Sequence, residues 1–87
     1  MKIVYHKIFR KHFKKRIVTN KKLQLRFYQR LNLLIKDPEN ILLKRHQLKG
    51  KKKFYWSFAL TGDIRVIYRI KRETLFLYDI GTHAQLY

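Results

Sequence analysis

The chain has no cysteine. That excludes a disulfide framework and any thiolate metal site, and it suits a reducing interior. Acidic residues number only five: Asp37, Glu39, Asp63, Glu73 and Asp79. Two-metal hydrolysis needs clustered carboxylates to hold hard cations, and five scattered among so many basic groups do not supply them. Apolar runs last only a few residues, so no membrane-spanning helix is expected. The opening Met1-Lys2-Ile3-Val4-Tyr5-His6-Lys7 lacks the apolar region of a signal peptide. The expectation is a cytoplasmic protein without metal, cofactor or membrane partner. No repeat or linker divides the 87 residues, which are expected to form a single domain, 1–87.

What the chain does have is positive charge. Lys and Arg number 22, giving a formal net charge of +17. Such an imbalance repels itself and costs stability, so a folded domain that keeps it implies a polyanionic partner. Nucleic acid comes first, through counterion release from phosphates; an acidic protein comes second and an anionic membrane third. Hydrophobic residues make up 46% and aromatics 15% of the chain, well above what a disordered chain carries. A domain this small buries only about 60% of the surface its unfolded chain exposes, so its core must be compact.

Lys2 to Tyr5 has the pattern of a short strand. Phe9, Phe13 and Ile17 then recur every four residues among Lys and Arg, which predicts an amphipathic helix. Thr19 and Asn20 are good caps for a new start. A second helix follows, with Leu23, Phe27, Leu31, Leu34 and Ile35 on one stripe, and Asp37-Pro38 ends it because the residue before proline avoids helical angles. Residues 40 to 53 form a connector, with Ile41, Leu42 and Leu43 expected to pack down. From Phe54 the period becomes two: Phe54, Trp56, Phe58 and Leu60 alternate with Tyr55, Ser57 and Ala59. Thr61-Gly62-Asp63 turns the chain. Ile64 to Ile70 alternates again, Lys71-Arg72-Glu73 turns, and Thr74 to Ile80, apolar on both faces except Asp79, has the pattern of a central strand. Gly81 breaks it and Thr82 to Tyr87 forms a tail. The prediction is an α+β fold in the order β-α-α-β-β-β, with two N-terminal helices packed on one face of a small antiparallel sheet. The other face stays open, lined by Lys53, Tyr55, Ser57, Arg65 and Arg69.

Cations and aromatic rings on one face suit RNA: arginines for phosphates and rings for stacked bases. The plainer alternative is a solvated face whose rings merely pack. If such a face cuts a phosphodiester without metal, RNA is the substrate, because its 2′-hydroxyl is a built-in nucleophile. A base, an acid and a cation on the phosphorane then suffice. Of the four histidines, His6 and His12 lie among lysines of the first helix and are expected to be ordinary surface residues. His46 and His83 flank the sheet and, with Arg65, compose a candidate site.

Three stretches carry a family resemblance: His46-Gln47-Leu48-Lys49-Gly50, then Gly62-Asp63-Ile64-Arg65-Val66-Ile67-Tyr68-Arg69-Ile70, then Asp79-Ile80-Gly81-Thr82-His83 with the terminal Tyr87. Together they resemble the RelE/ParE toxin superfamily of type II toxin–antitoxin systems, in its YafQ-like branch. The resemblance covers residues 46 to 87. It implies two helices on an antiparallel sheet and a metal-independent endoribonuclease that cleaves mRNA in the ribosomal A site. By the same resemblance His46, Asp63, His83 and Tyr87 match catalytic positions of YafQ-like toxins, and Arg65 matches the arginine of RelE-like ones. His83 is then the general acid or base, His46 or Asp63 acts on the 2′-hydroxyl, Arg65 steadies the phosphorane and Tyr87 stacks or positions. Lys51, Lys52, Lys53, Tyr55 and Arg69 are the RNA-binding candidates. Asp63 serves equally well as a plain turn residue beside Gly62. YafQ-like toxins carry a further histidine where this chain has Ala59. Either the remaining groups suffice, or cutting is weaker, or it is built in part around lysines and Arg65.

The resemblance also implies partners: an acidic antitoxin whose segment wraps the basic surface, and operator DNA bound only through that antitoxin. Two other readings stay open, a ParE-like toxin that acts on DNA gyrase without cutting, and an inactive RNA-binding relative.

Overall fold

The computed structural model describes all of residues 1–87. The elements run β1 (Lys2–Tyr5), α1 (Lys7–Arg16), α2 (Lys21–Lys36), β2 (His46–Gln47), β3 (Trp56–Ala59), β4 (Ile64–Lys71), β5 (Thr74–Thr82) and α3 (His83–Leu86). Two short 3-10 turns, Ile41–Leu43 and Gly50–Lys52, lie on either side of β2. The two long helices and the three-stranded meander form as the periodicities predict, and the class is α+β.

The caps explain the helix boundaries. His6 accepts the Ile8 N–H through Nδ1 and opens α1. Asn20 accepts the N–H groups of Lys22 and Leu23 and opens α2. Asp37, before the proline, closes it. Phe9 and Ile17 from the first helix and its cap, with Phe27, Leu31 and Leu34 from the second, meet Phe58, Val66, Tyr68, Leu75, Leu77 and Ile80 in one buried cluster. This layer between helices and sheet is the core, and its burial from water is the main stabilising force. No helix is long and apolar enough to cross a membrane.

The sheet has five strands in the order β1-β5-β4-β3-β2. β3, β4 and β5 pair antiparallel, as does β2 with β3, while β1 lies parallel to β5, Lys2 opposite Thr74. β5 lies inside the sheet, paired with β1 on one edge and β4 on the other. Along β5, Tyr78 is an extra residue between the Ile67–Asp79 and Tyr68–Leu77 pairs, a bulge.

Several expectations are corrected. Phe54, Tyr55 and Leu60 lie outside β3. Ile41 and Leu42 do not pack down: they are 85% and 54% exposed, and only Leu43 is buried. A 3-10 turn has three residues per turn, so three successive side chains leave in three directions. Ser57, expected on the open face, is buried because the Arg65 side chain lies against it. Gly81 does not break β5, which runs on to Thr82, and the tail beyond it is helical. Thr82 caps α3 and exchanges hydrogen bonds with Gln85, a capping box.

Candidate active site

Strand alternation sets the site. Ala59 pairs with Arg65 and Ser57 with Ile67, while His46 pairs with Ser57 and Arg65 with Gly81. Directly paired residues point to the same side of a sheet, so His46 and Arg65 share the face that the long helices leave uncovered. β5 ends beside them and turns into α3, which brings His83 and, one helical turn on, Tyr87. The two rings lie with centroids 4.7 Å apart.

His46, Gln47, Leu48, Lys49, Ser57, Arg65, His83 and Tyr87 together line one cleft of about 450 Å³. Four of the five residues singled out for catalysis, from three separate parts of the chain, therefore converge. Asp63 does not line it. It sits exposed in the β3–β4 turn, where Thr61 Oγ1 accepts its backbone N–H. The turn lies one residue beyond the Ile64–Thr82 pair, at the same end of the sheet as His83.

Arg65 is held in place. Its Nε donates to Ser57 Oγ at 2.9 Å, and Nη2 donates to the carbonyls of Lys44 and Ser57. Nη1 is left without a backbone partner. Lys44 offers its carbonyl because it adopts a left-handed conformation, φ 44°, as the chain leaves the 3-10 turn. Burial pushes the guanidinium pKa below its ordinary value, and the neighbouring Tyr87 hydroxyl pulls it back. An arginine stays charged under either influence. The result is a fixed cation whose planar fork suits phosphate. His46 and His83 are exposed and make no side-chain hydrogen bond within the protein. Lys49 adds a second cation to the cleft, one that was not among the RNA-binding candidates.

The RNA-binding candidates divide. Lys51, Lys52 and Lys53 are exposed on the loop between β2 and β3 and line neither the cleft nor its neighbours. Tyr55 and Arg69 stand at the other end of the open face, in a separate groove with His6 and Tyr78. Nowhere in the chain do three or more His, Cys, Asp or Glu side chains gather as a metal site would need.

His12 differs from its expected role as a plain surface residue. Its Nδ1 lies 2.6 Å from Asp79 Oδ1, in a partly buried contact between α1 and β5. Arg16 approaches the same oxygen at 4.0 Å and donates to the Ile80 carbonyl at 2.7 Å. Gly81 leaves room for this contact: a Cβ there would sit 2.6 Å from Arg16 Nη1 and 2.7 Å from Gln85 Oε1.

Comparison with known proteins adds the following. The sequence profile of a family described as bacterial toxin of type II toxin–antitoxin system, YafQ, matches residues 1–87. A metal-bound toxin from Helicobacter pylori is similar in structure, with TM-score 0.81 and 31% identity over 100% of this chain and 99% of that one. YafQ from E. coli superposes with TM-score 0.81 at 26% identity, over 98% and 96% of the two chains. A chain of the E. coli DinJ–YafQ toxin–antitoxin complex gives TM-score 0.78 at 26% identity, over 98% and 94%. No curated protein matches by sequence.

Proposed function

The chain belongs to the YafQ family of toxins of type II toxin–antitoxin systems, and from that premise we propose that it is an endoribonuclease that cleaves mRNA on the ribosome through the RNA's own 2′-hydroxyl. The observation that carries the reading is the convergence of His46, Arg65, His83 and Tyr87 in one cleft of a chain with net charge +17.

The reaction needs three things. A base removes the 2′-hydroxyl proton, the 2′-oxygen attacks the adjacent phosphorus, and an acid protonates the 5′-oxygen as its bond breaks. The products are a 2′,3′-cyclic phosphate and a 5′-hydroxyl, and one proton enters where another leaves. Imidazoles titrate in the range that lets one side chain give a proton and another take it. His83 and His46 are the candidates, His83 as the acid. Arg65, with Nη1 free of backbone partners, is placed to meet the phosphorane's charge. Tyr87 stacks on the base or positions the phosphate. Lys49 supplies the lysine that compensates for alanine at position 59, which is buried beside Arg65. Asp63, in the exposed turn at the same end of the sheet as His83, is the candidate to orient the 2′-hydroxyl. The loop lysines Lys51, Lys52 and Lys53 hold the RNA backbone.

An acidic antitoxin segment that covers the same cleft is the expected inhibitor. The DinJ–YafQ assembly of the E. coli relative supports a partner of this kind, and operator DNA would be met through it.

Purified protein, incubated with ribosomes translating a defined mRNA in the presence of a chelator, tests the chemistry. Cleavage inside the reading frame with a 2′,3′-cyclic end, abolished by a single 2′-deoxy substitution at the cut nucleotide, is expected. Cleavage that survives the deoxy substitution, or inhibition with the mRNA intact, would contradict it.

A further inference from the structure

The end of the open face away from the cleft carries a continuous ladder of rings and cations. The His6 and Tyr78 rings lie with centroids 4.9 Å apart, and Tyr78 and Tyr55 5.1 Å apart. The Arg69 guanidinium is 6.0 Å from the Tyr55 ring and 5.7 Å from Phe54, whose other cation, the Lys53 ammonium, is at 5.3 Å. Distances of this order are those of cation–π contact. The ladder stands over a groove of about 290 Å³ floored by Val4 and Phe76.

Three observations separate it from ordinary packing. None of Phe54, Tyr55 and Tyr78 belongs to or packs against the core cluster, and Phe54 is 62% exposed. No acidic side chain lines the groove: Asp79 is engaged by His12 and Glu73 lies exposed in the β4–β5 turn. The groove also continues the cleft's face. Arg69 is four residues from Arg65 on β4, about 13 Å along a strand and on the same side, and Tyr55 stands two residues before Ser57.

Flat apolar faces flanked by unbalanced cations match a ligand with flat bases on a negative backbone. We infer that this groove is a base-stacking platform for the single-stranded stretch of substrate RNA that lies outside the cut. The inference rests on the reading of RNA as substrate and adds a second contact region, which grips bases and takes no part in bond breaking. Stacking on an aromatic side chain is sequence-tolerant, since every base has a face, so the platform contributes affinity without a base preference of its own.

The test uses the full chain with His83→Gln, so that RNA is bound and not cut. Fluorescence anisotropy measures its affinity for a labelled oligouridylate of about 12 nucleotides and for the matching abasic ribose-phosphate oligomer. The platform predicts tighter binding of the oligouridylate. Adding Phe54→Ala or Arg69→Gln should weaken that binding by about tenfold and remove most of the preference over the abasic strand. Phe54→Ala should do so without changing the slope of affinity against salt, because it removes no charge. Unchanged oligouridylate affinity in both variants would overturn the platform and leave the substrate reading standing. Failure of the parent protein to bind either strand would overturn both. Weaker binding of a polyglutamate peptide, with RNA affinity unchanged, would assign the groove to an acidic protein segment instead.

Discussion

Two histidines meet the end of the last strand and are used in opposite ways. His12, from α1, is locked to Asp79 of β5 at 2.6 Å with Arg16 alongside, partly buried between helix and strand. His83, four residues after Asp79, heads α3 and stands exposed over the cleft with the Tyr87 ring against it. By pairing alone, His12–Asp79 is the better imitation of a catalytic dyad. By surroundings it is a clamp that fastens α1 to β5, while the unpaired His83 is the one that a substrate can reach. The contrast teaches that a histidine's usefulness for proton transfer depends on a free nitrogen at an accessible surface beside a cation that can meet a phosphate, as His83 has in the cleft with Arg65.

The largest expected effect lies on the cleft side. Arg65→Ala and His83→Gln should each lower cleavage by about 100-fold or more. For His83→Gln the melting temperature should hardly move, because the side chain is exposed. A gel assay beside a thermal melt separates the two quantities. Near-wild-type cleavage in both variants would break the comparison from that side.

The clamp should give the reverse pattern. Asp79→Asn weakens a largely buried, charge-assisted contact and should cost about 1.5–3 kcal/mol of stability, read as a lower urea midpoint, with cleavage retained at temperatures where the variant is folded. A loss of cleavage without loss of stability would mean that His12–Asp79 takes part in the chemistry.

Gly81 links the two regions. Gly81→Ala presses a methyl group toward Arg16 on one side and Gln85 of the α3 capping box on the other. Each can swing away only by giving up a hydrogen bond, to Ile80 or to Thr82. A cost of about 1–2 kcal/mol is expected, together with a partial loss of cleavage, because α3 presents His83 and Tyr87. Loss of only one of the two would show that the regions are uncoupled.

The smallest effect concerns pH. Burial raises the Tyr68 phenol above its usual value, opposed by its hydrogen bond from Arg45. A folded pKa above the unfolded value means that the folded state holds its proton longer. The associated stability is full below about pH 10 and falls as pH rises through the folded value. Tyr68→Phe should flatten the decline of the urea midpoint above pH 10. An unchanged slope would remove Tyr68 from the account.

The clamp and the cleft were not equally legible. The helix stripes through Phe9 and Phe27 and the alternation through Arg65 follow from periodicity, so the covered and open faces could be assigned from sequence. His46, Arg65, His83 and Tyr87 were found through motif resemblance together with that alternation. His12–Asp79 joins residues 67 apart, and no local pattern announces a contact of that span. Two-residue β2 and the 3-10 turn at Ile41 are too short to show a period. The helix that carries His83 did leave a signal, Thr82 three residues before Gln85, but four residues of helix are easily passed over as a tail. Lys49 was hidden in a run of lysines, where composition gives no reason to prefer one.

The most direct test of the division between clamp and cleft is to express the wild type, His83→Gln and Asp79→Asn briefly in cells and map mRNA 5′ ends. The account predicts new ends inside reading frames, in register with codons, for the wild type and for Asp79→Asn, and none for His83→Gln. Ends that persist in His83→Gln, or growth arrest by the wild type with its mRNA intact, would contradict it.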